Sequence, residues 1–300
     1  MKLNRIKAVL SEKGISQTWL AKQLDGEIIS CDSMQVYKKM DIGTAKVTQE
    51  EMQGIHHELI DVQNYNEPYN VKVFQEKCRT AIEDVVKRGK FPILCGGTGL
   101  YLKAALYDYE FQEENEDIAY TTFLNSKTNE ELVAMLKEKD EKALEKIHPN
   151  NRKRLIRALQ ICHSGTSKSE QEDKQQHIPL YDVYFLGLDV NREILHDRIN
   201  KRVDIMFENG LVKEVEDLFT NPETWEYTSF QGIGYKEFKD YFLKEKSIDE
   251  VKTAIKTHSR QYAKRQYTWF KNQMPVHWFE AQNRDEIYSA VKEWLMDEDK

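Results

Sequence analysis

A single aspartate, Asp32, follows a short apolar run and opens the segment CDSMQVY. The run, GEIIS at 26–30, predicts a buried strand, and open α/β sheets bind ligands just beyond the carboxyl ends of their strands. At such a place a carboxylate can act as a general base or as a metal ligand, and Ser33 and Gln35 can hydrogen-bond a base edge. The alternative without chemistry is that Asp32 caps the turn after the strand.

A second segment of this kind, CGGTGLY, follows the apolar run FPILC at 91–95. Its glycines let backbone N–H groups approach an anion at a helix N-terminus, and Thr98 adds a hydroxyl group. A tight turn between a strand and a helix needs the same glycines. The motif alone therefore leaves both anion binding and a plain turn open.

Two clusters of cations are candidates for binding phosphate groups. In AKRQYTWFK, cations alternate with aromatic residues, and helical spacing puts Lys264, Tyr267 and Lys271 on one face. Cations beside aromatic rings suit phosphates and stacked bases. In RINKR, Arg198 and Arg202 lie one helical turn apart, a spacing that suits a diphosphate. A solvated basic helix and a surface ladder of charges are the corresponding alternatives without function.

The elements that would position these residues alternate between strand and helix. The strand-like runs lie at 26–30, 57–62, 91–95, 181–188 and 275–279. Strands separated by helical patterns predict an α/β core around a parallel sheet. From 110 to 177 the strand patterns are absent and short helical patterns replace them. The sequence therefore predicts an α/β catalytic core, 25–109 and 178–300, that is interrupted by a helical insertion domain, 110–177.

The composition predicts the class of protein and its cellular location. With 40% apolar and 32% charged residues, the chain is typical of a polar globular protein. It has no apolar run of membrane-spanning length, and its four cysteines lack metal-type spacing, so we expect a cytoplasmic protein with reduced, buried cysteines. The net charge of −7 disfavours nucleic-acid binding. The basic segment RKRLIR at 152–157 nevertheless concentrates four cations without an acid.

Six blocks of sequence, in chain order, closely resemble the bacterial tRNA dimethylallyltransferase (isopentenyltransferase) family. They are DGEIISCDSMQVYKKMDIGTAKVT, PILCGGTGLYLKAAL, IHPNNRKRLIRAL, RINKRVDIM, QGIGYKE and SRQYAKRQYTWFKN, within about 25–279. The resemblance implies a P-loop NTPase-like α/β fold with a helical insertion domain that binds tRNA. It also implies Mg²⁺-dependent transfer of a dimethylallyl group from dimethylallyl diphosphate to the exocyclic amine of the adenosine 3′-adjacent to the anticodon.

The resemblance also assigns roles to individual residues. Asp32 would be the general base, with Thr98 beside it in the catalytic site. Diphosphate would be bound by Arg198 or Arg202 together with Lys13, and no metal ligand is assigned. The residues that would contact tRNA are Asp32, Ser33, Met34, Gln35, Thr98, Lys153, Arg154, Arg157, Gln231, Gly232, Gly234, Tyr235, Lys236, Lys264, Arg265, Gln266, Trp269 and Lys271. We expect a monomer that binds the anticodon stem-loop and neither DNA nor membranes.

The N-terminus departs from the family pattern. Family members begin with a strand and a phosphate loop of the form GPTASGKT, and counting back from Asp25 puts KAVLSEKG, 7–14, in that place. Only Ser11 and Lys13 coincide, and without the glycines the backbone would not form a nest of N–H donors. Residues 1–24 instead resemble the first two helices of helix-turn-helix regulators.

We interpret residues 1–24 as an atypical N-terminal helical fragment, because the recognition helix of a DNA-binding domain is missing. Its segment 16–24 is a candidate to replace the first helix of the core, and whether 5–10 rebuilds the first strand is left open. Two functional hypotheses follow. The first is an active tRNA dimethylallyltransferase, and the alternative is a catalytically impaired, tRNA-binding relative that lacks the diphosphate-binding loop. A small-molecule kinase would need that loop even more.

Overall fold

The computed structural model describes residues 5–9, 17–111, 117–165, 167–170 and 177–297, with the backbone alone at 5–9. The chain divides into two compact units. The larger unit comprises Met1–Leu106 and Leu180–Lys300, and the smaller is Tyr107–Pro179. The smaller unit contains the whole of the predicted insertion.

The larger unit is built on a parallel sheet. Its strands are β1 (Arg5–Val9), β2 (Gly26–Ser30), β3 (His57–Glu58), β4 (Phe91–Cys95), β5 (Asp182–Asp189) and β6 (His277–Glu280). Their order across the six-stranded sheet is β3-β2-β4-β1-β5-β6, and every neighbouring pair is parallel. The prediction of an α/β core with a parallel sheet is confirmed. Parallel strands need crossover connections, and helices supply them here.

The central strand corrects the prediction for the N-terminus. β1 pairs with β4 on one side and with β5 on the other, so that Ala8 lies opposite both Leu94 and Phe185. The predicted helical fragment 1–24 is therefore wrong for 5–9, and the strand that the sequence left open exists. The physical reason is that β4 and β5 leave a space of one strand between them. A strand in that space satisfies the backbone N–H and C=O groups of both neighbours.

Helices cover the rest of both units. They are α1 (Gln17–Gln23), α2 (Gln49–Met52), α3 (Val71–Lys87), α4 (Gly99–Leu106), α5 (Ile118–Asn125), α6 (Asn129–Asp140), α7 (Arg152–His163), α8 (Arg192–Glu208), α9 (Leu211–Leu218), α10 (Lys239–Phe242), α11 (Ile248–Gln273) and α12 (Arg284–Met296). Short 3-10 helices lie at Glu141–Glu145, Pro222–Glu226, Thr228–Gln231 and Lys236–Phe238. α1 occupies the predicted place of the first core helix, and its Leu20 and Ala21 are buried.

Helix α3 fixes the helix that follows the glycine-rich segment. Asn70 caps α3 by accepting hydrogen bonds from the backbone N–H groups of Lys72 and Val73. From the same helix, Gln75 Nε2 donates to the carbonyl oxygen of Ala104 at 2.8 Å. Arg79 Nη2 donates to that oxygen at 3.1 Å. These bonds satisfy a carbonyl group in the last turn of α4 and attach that end of α4 to α3.

The smaller unit is a helical module with its own core. The core is formed by apolar side chains of α5, α6 and α7 and of the turn between them, namely Leu124, Leu132, Leu136, Ala143, Ile147, Leu155, Ala158 and Leu159. Arg152 begins α7 and donates to the carbonyl oxygen of Asn125 at 2.8 Å and to Asn129 Oδ1 at 3.2 Å. These contacts fix the N-terminal end of α7 to α5 and α6, and they determine which side of α7 faces outward.

Two expectations about the chain concern its cysteines and membranes. Cys31, Cys78 and Cys95 are buried, Cys162 is half-buried, and all four are free. Within the described ranges, no helix combines the length and the apolar character that crossing a membrane requires.

Candidate active site at the carboxyl ends of β2 and β4

The carboxylate of Asp32 lies just beyond β2 and shapes the turn that carries it. Oδ1 accepts hydrogen bonds from the backbone N–H groups of Met34 at 2.7 Å and of Gln35 at 3.2 Å. The turn-capping alternative is therefore correct, but it uses only one carboxylate oxygen. Among the described residues, Oδ2 accepts no hydrogen bond. Burial raises the pKa of the half-buried Asp32 carboxyl group, although the two backbone amides oppose that shift.

Thr98 lies in the turn after the neighbouring strand β4 and contacts Ser33, the residue that follows Asp32. The backbone N–H of Cys31 donates to the carbonyl oxygen of Cys95 at 2.7 Å, which extends the pairing with β4 one residue beyond the end of β2. The backbone N–H of Ser33 then donates to Thr98 Oγ1 at 3.3 Å. Gly96 permits this approach, since a Cβ atom there would lie 2.5 Å from the carbonyl carbon of Cys31. The structure thus brings the two predicted catalytic residues together.

Helix α11 packs directly on the turn between β4 and α4. Gln266 Nε2 donates to the carbonyl oxygen of Gly97 at 3.0 Å. A Cβ atom at Gly97 would collide with Gln266, and a Cβ atom at Gly99 would collide with the ring of Trp269. Close packing against α11 therefore explains two glycines of the segment GGTGLY. Both alternatives for this motif, anion binding and a plain turn between a strand and a helix, require such a tight turn.

The basic helix α11 exposes its cations near the same turn. Lys264, Arg265 and Lys271 are exposed. The guanidinium carbon of Arg265 lies 5.8 Å from the centre of the Tyr262 ring, and Lys271 Nζ lies 6.0 Å from that of Tyr267. Cations and aromatic rings are thus neighbours on the outer surface of α11, an arrangement that suits phosphates and bases.

Sequence reasoning missed Tyr262 as a member of the site. Its side chain hydrogen-bonds Thr98 and Gln266, although 38% of the residue is exposed. Burial of the rest of the side chain raises the pKa of the hydroxyl group, and the charge of Asp32 adds to the shift. The phenol therefore stays protonated at neutral pH and can donate. The missed signal was helical spacing, because Tyr262 lies four residues before Gln266 and on the same face of α11.

The two arginines of RINKR lie on α8, which packs against α11. Asp204 Oδ1 lies 2.7 Å from Nζ of both Lys252 and Lys256. Nearer the start of α8, Asn200 Oδ1 accepts from Arg260 Nη1 at 2.6 Å. The two helices therefore run antiparallel, and moving towards the start of α8 corresponds to moving towards Gln266 on α11.

Because α8 and α11 run antiparallel, Arg198 lies nearer to Gln266 than Arg202 does. Arg198 precedes Asn200 and lies at the level of the part of α11 that leads from Arg260 to Gln266. Arg202 lies about 6 Å further away along the helix axis, at a rise of about 1.5 Å per residue. Both side chains are exposed. The third predicted diphosphate ligand, Lys13, lies outside the described residues.

The segment QGIGYKE serves the interior of the larger unit. Gln231 Nε2 donates to the carbonyl oxygen of Trp225 at 2.6 Å, and Gly232 makes room for the end of Met34. Gly234 is buried, and the hydroxyl of the fully buried Tyr235 donates to Glu214 at 2.6 Å. The side chain of Tyr235 is fully buried and therefore cannot make the predicted contact with tRNA. Gln231 and Lys236 are exposed.

The remaining predicted tRNA ligands lie in the smaller unit. Lys153, Arg154 and Arg157 are exposed on α7. The buried side of this helix holds Leu155, Ala158 and Leu159 in the module's core. The structure therefore places these cations on the outward side of a folded helix, as binding to phosphates requires.

One cluster among the described residues has metal-ligating side chains close together, but it lies away from Asp32. Atoms of Glu27, His56 and Glu58 that could bind a metal lie within 4.8 Å of one another. Arg88 Nη2 already lies 2.6 Å from Glu27 Oε2 and 2.9 Å from Glu58 Oε1. Glu27 is near the amino end of β2, about 16 Å from Asp32 at about 3.3 Å per residue. This cluster is an ion-pair network at the opposite edge of the sheet.

Comparison with protein families decides which proteins share this arrangement. The family model for IPP transferase matches residues 35–273. The chain belongs to the IPP transferase family. The matched range includes Gln35, Thr98, both arginines of RINKR and most of α11, and the predicted resemblance is confirmed.

Individual relatives agree with this assignment. A tRNA dimethylallyltransferase of Bacillus cereus is 48% identical over 278 residues, which are 91% of this chain and 87% of the relative. A solved tRNA delta(2)-isopentenylpyrophosphate transferase of Staphylococcus epidermidis has a TM-score of 0.70 and 38% identity, covering 97% of this chain and 99% of that one. A solved eukaryotic dimethylallyltransferase acting on tRNA has a TM-score of 0.81 and 29% identity, covering 98% of this chain and 78% of the relative. The predicted fold class and the transferase family are thereby confirmed.

Proposed function

We propose that the chain transfers a dimethylallyl group from dimethylallyl diphosphate to the exocyclic amine of the adenosine 3′-adjacent to the anticodon in tRNA. The observation that carries this proposal is the hydrogen bond to Thr98 from the backbone of Ser33, the residue after Asp32, beneath the basic helix α11 in a member of the IPP transferase family. The proposed partner is the anticodon stem-loop, bound by a monomer in the cytoplasm.

In the proposed reaction, one bond forms as another breaks. The amine nitrogen of adenine attacks the first carbon of the dimethylallyl group, and the carbon–oxygen bond to diphosphate breaks, with its electron pair leaving on oxygen. The amine is a weak nucleophile, so its proton must leave as the carbon–nitrogen bond forms. Asp32 Oδ2 takes that proton, because Oδ1 is held by the turn. Since the base must leave its stack, an anticodon loop lowers the cost.

The leaving diphosphate needs positive charge. We assign this role to Arg198 and not to Arg202, because Arg198 lies nearer to Gln266, the residue of α11 that packs on the turn between β4 and α4. Lys13 is a further candidate, from the connection between β1 and α1. Neutralising the charge that develops on a leaving group is among the largest effects available to an enzyme.

Magnesium is the cofactor implied by the family resemblance. The donors at the site fit it chemically, because the Asp32 carboxylate and the Thr98 hydroxyl are oxygen ligands, and Mg²⁺ prefers oxygen ligands together with substrate phosphates and water. When bound, the ion would supply charge neutralisation for the diphosphate.

A second candidate function is tRNA binding without catalysis. It is favoured by the sequence between β1 and α1, residues 10–16, which reads LSEKGIS and has one glycine where family members have a glycine-rich phosphate loop. A sequence with one glycine is less suited to turning several backbone N–H groups towards one diphosphate, so transfer would lose several charge-assisted contacts. A DNA-binding regulator is disfavoured further, because 5–9 belongs to the sheet.

One incubation distinguishes the two candidates. Purified protein is mixed with tRNA that lacks the modification, Mg²⁺ and labelled dimethylallyl diphosphate, and label in the tRNA is counted. Label in the wild-type reaction, absent with Asp32→Asn, supports the transferase. No label, with tRNA still bound in a gel-shift assay, overturns catalysis and supports the binding protein. Label that persists in Asp32→Asn overturns the assignment of the base.

A further inference from the structure

Glu214 of α9 accepts four hydrogen bonds. Its Oε2 accepts from the backbone N–H groups of Asp41 and Ile42, at 2.9 and 2.7 Å. Its Oε1 accepts from the backbone N–H of Gly43 at 3.0 Å and from the Tyr235 hydroxyl at 2.6 Å. Three consecutive backbone amides thus surround one carboxylate, as they surround anions in backbone nests. Charge-assisted bonds of this kind are about twice as strong as neutral ones.

Glycines allow the backbone to come this close. A Cβ atom at Gly43 would lie 2.5 Å from Cζ of Tyr235, and a Cβ atom at Gly234 would lie 2.9 Å from the carbonyl oxygen of Gly43. Gly234 also has a φ of +100°, which side chains rarely adopt. Burial and the charge of Glu214 raise the pKa of the Tyr235 hydroxyl, which therefore remains a donor.

The loop that Glu214 holds continues to the catalytic turn through Gln35. Nε2 of Gln35 lies 3.4 Å from the carbonyl oxygen of Thr44 and 3.3 Å from that of Ala45. Because both neighbours are acceptors, the NH₂ group of the amide must face them. Among the described residues, Gln35 Oε1 has no donor. It is therefore available to accept from a ligand next to Asp32.

Lys46 secures the far end of the same loop. Its Nζ donates to the carbonyl oxygen of Tyr37 at 2.7 Å and lies 2.6 Å from both Asp41 Oδ1 and Asp61 Oδ1. The Lys46 side chain is only 6% exposed, whereas the side chains of Asp41 and Asp61 are 62% and 50% exposed. Removal of Glu214 would therefore release the amides of 41–43 while Lys46 keeps the loop attached.

We infer that Glu214 is a positioning residue that orients Gln35 through the loop 41–45. By holding Asp41–Gly43, it fixes the carbonyl groups of Thr44 and Ala45, and these keep the amide oxygen of Gln35 available beside Asp32. An acceptor at that place favours a base edge that donates, such as the exocyclic amine of adenine, over one that presents a carbonyl oxygen. The kinetic part of this inference rests on the proposed function.

The kinetic test compares Glu214→Gln with Glu216→Gln, an identical change at an exposed position of the same helix. The glutamine keeps the size of Glu214 but replaces one acceptor oxygen with a donor. We expect the KM for tRNA to rise about 10-fold and the KM for dimethylallyl diphosphate to change less than about 2-fold. Glu216→Gln should match the wild type. Equal KM values for tRNA in all three proteins, or a parallel rise for both substrates, would overturn the inference.

Base discrimination gives a readout that general loosening would not produce. The wild type should bind tRNA with adenosine at the modified position more tightly than tRNA with guanosine there, which presents a carbonyl oxygen at the corresponding edge. In Glu214→Gln the ratio of the two affinities should fall about 5-fold or more, since the Gln35 amide is free to rotate. An unchanged ratio would mean that Glu214 does not set the orientation of Gln35.

Hydrogen exchange without substrate separates this inference from the proposed function. Exchange of the backbone amides at 41–43 should be about 10-fold faster in Glu214→Gln, and peptides of the smaller unit should keep their wild-type rates. Tyr235→Phe removes one donor and leaves three bonds, so its effect should be smaller. Unchanged exchange at 41–43 overturns the inference even if transfer is active. Faster exchange in a protein whose wild type transfers nothing supports the loop contact and refutes the proposed function instead.

Discussion

Two regions hold their predicted functional side chains in opposite ways. One is the turn of the larger unit that carries Asp32, here called the catalytic turn, and the other is helix α7 of the smaller unit. Asp32 is half-buried, and two backbone amides fix one of its oxygens. Lys153 and Arg154 are exposed on α7, and their place is set from the other side of the helix, where Leu155 is fully buried. In the turn, hydrogen bonds to the functional group set its position. In α7, the apolar side of the helix sets which way the charges face.

This difference matches the physics of the two tasks. Proton transfer needs heavy atoms within about 3 Å of each other, so the general base must be held rigidly. Attraction to phosphates extends over about 8 Å at physiological salt, so a flexible cation on a fixed helix is sufficient. The two regions should therefore respond differently to the same kind of substitution.

The largest effect is expected at Asp32. Asp32→Asn keeps the size and the turn-forming oxygen but cannot take a proton, so kcat should fall about 10³-fold. Steady-state transfer of labelled dimethylallyl to tRNA measures this loss. The matched control is Asp84→Asn, which removes an exposed ion pair with Lys87 at 3.1 Å and should leave kcat unchanged. A loss below about 10-fold at Asp32 would mean that another group is the base.

A smaller effect, of a different kind, is expected on α7. Replacing Lys153, Arg154 and Arg157 together with Ala should weaken tRNA binding about 10- to 100-fold at low salt and reduce the slope of log K against log salt by about 2. Binding measured at several salt concentrations checks both numbers, and kcat at saturating tRNA should stay close to that of the wild type. Lys137→Ala, an exposed lysine of α6, is the control. A loss of kcat with unchanged binding would contradict the contrast between the two regions.

Tyr262 tests how far the rigid arrangement extends around Asp32. Tyr262→Phe removes the hydroxyl that bonds Thr98 and Gln266, and the loss of such bonds is worth about 1 kcal/mol, or about 5-fold in kcat. The same assay measures it. The control is Tyr288→Phe, a half-buried tyrosine of α12 whose ring packs on Trp19. Identical kcat values for Tyr262→Phe and the wild type would limit the fixed region to Asp32 and Thr98.

The smallest expected effect concerns stability and pH. Burial raises the pKa of Asp32 above its ordinary value of 3.8, so the folded protein binds the proton more tightly than the unfolded chain does. The charged form therefore lowers stability, and this cost grows as pH rises from 3.8 through the folded pKa. Asp32→Asn should raise Tm by about 1 to 3 °C at neutral pH, and the difference should shrink towards pH 4. Thermal unfolding across that range tests the sign, and a lower Tm for Asp32→Asn at neutral pH would contradict it. Transfer activity should decrease as pH is lowered across the same range, because a protonated Asp32 cannot accept the amine proton.

Much of the α/β core could be predicted from the sequence, because its apolar runs lie where the fold buries strands. The apolar runs at 26–30 and 91–95 became strands at the same residues. The family resemblance, and not the two motifs alone, predicted Thr98 beside Asp32. The helical insertion was predicted from the absence of strand patterns at 110–177 and by the resemblance, which also predicts that residues of α7 and α11 contact tRNA.

What sequence did not supply depends on contacts between distant segments. β1 carries a pattern that favours a helix, and only the space between β4 and β5 makes it a strand. Tyr235 was predicted to face tRNA, but its burial depends on Gly43, about two-thirds of the chain away. Tyr262 joins the site through Thr98, whereas the spacing along α11 links it only to Gln266. Contacts between remote segments decided each of these cases.

The central position of β1 has a consequence for synthesis of the protein. β1 leaves the ribosome before the other described strands of the sheet, yet it pairs with β4 and β5, and β5 ends at Asp189. Until that residue has been added, the middle of the sheet lacks a partner strand on one side. Unpaired strand edges in incomplete chains promote aggregation. A nascent chain arrested before β5 should therefore be a substrate for chaperones, even though every residue of the catalytic turn has already been made.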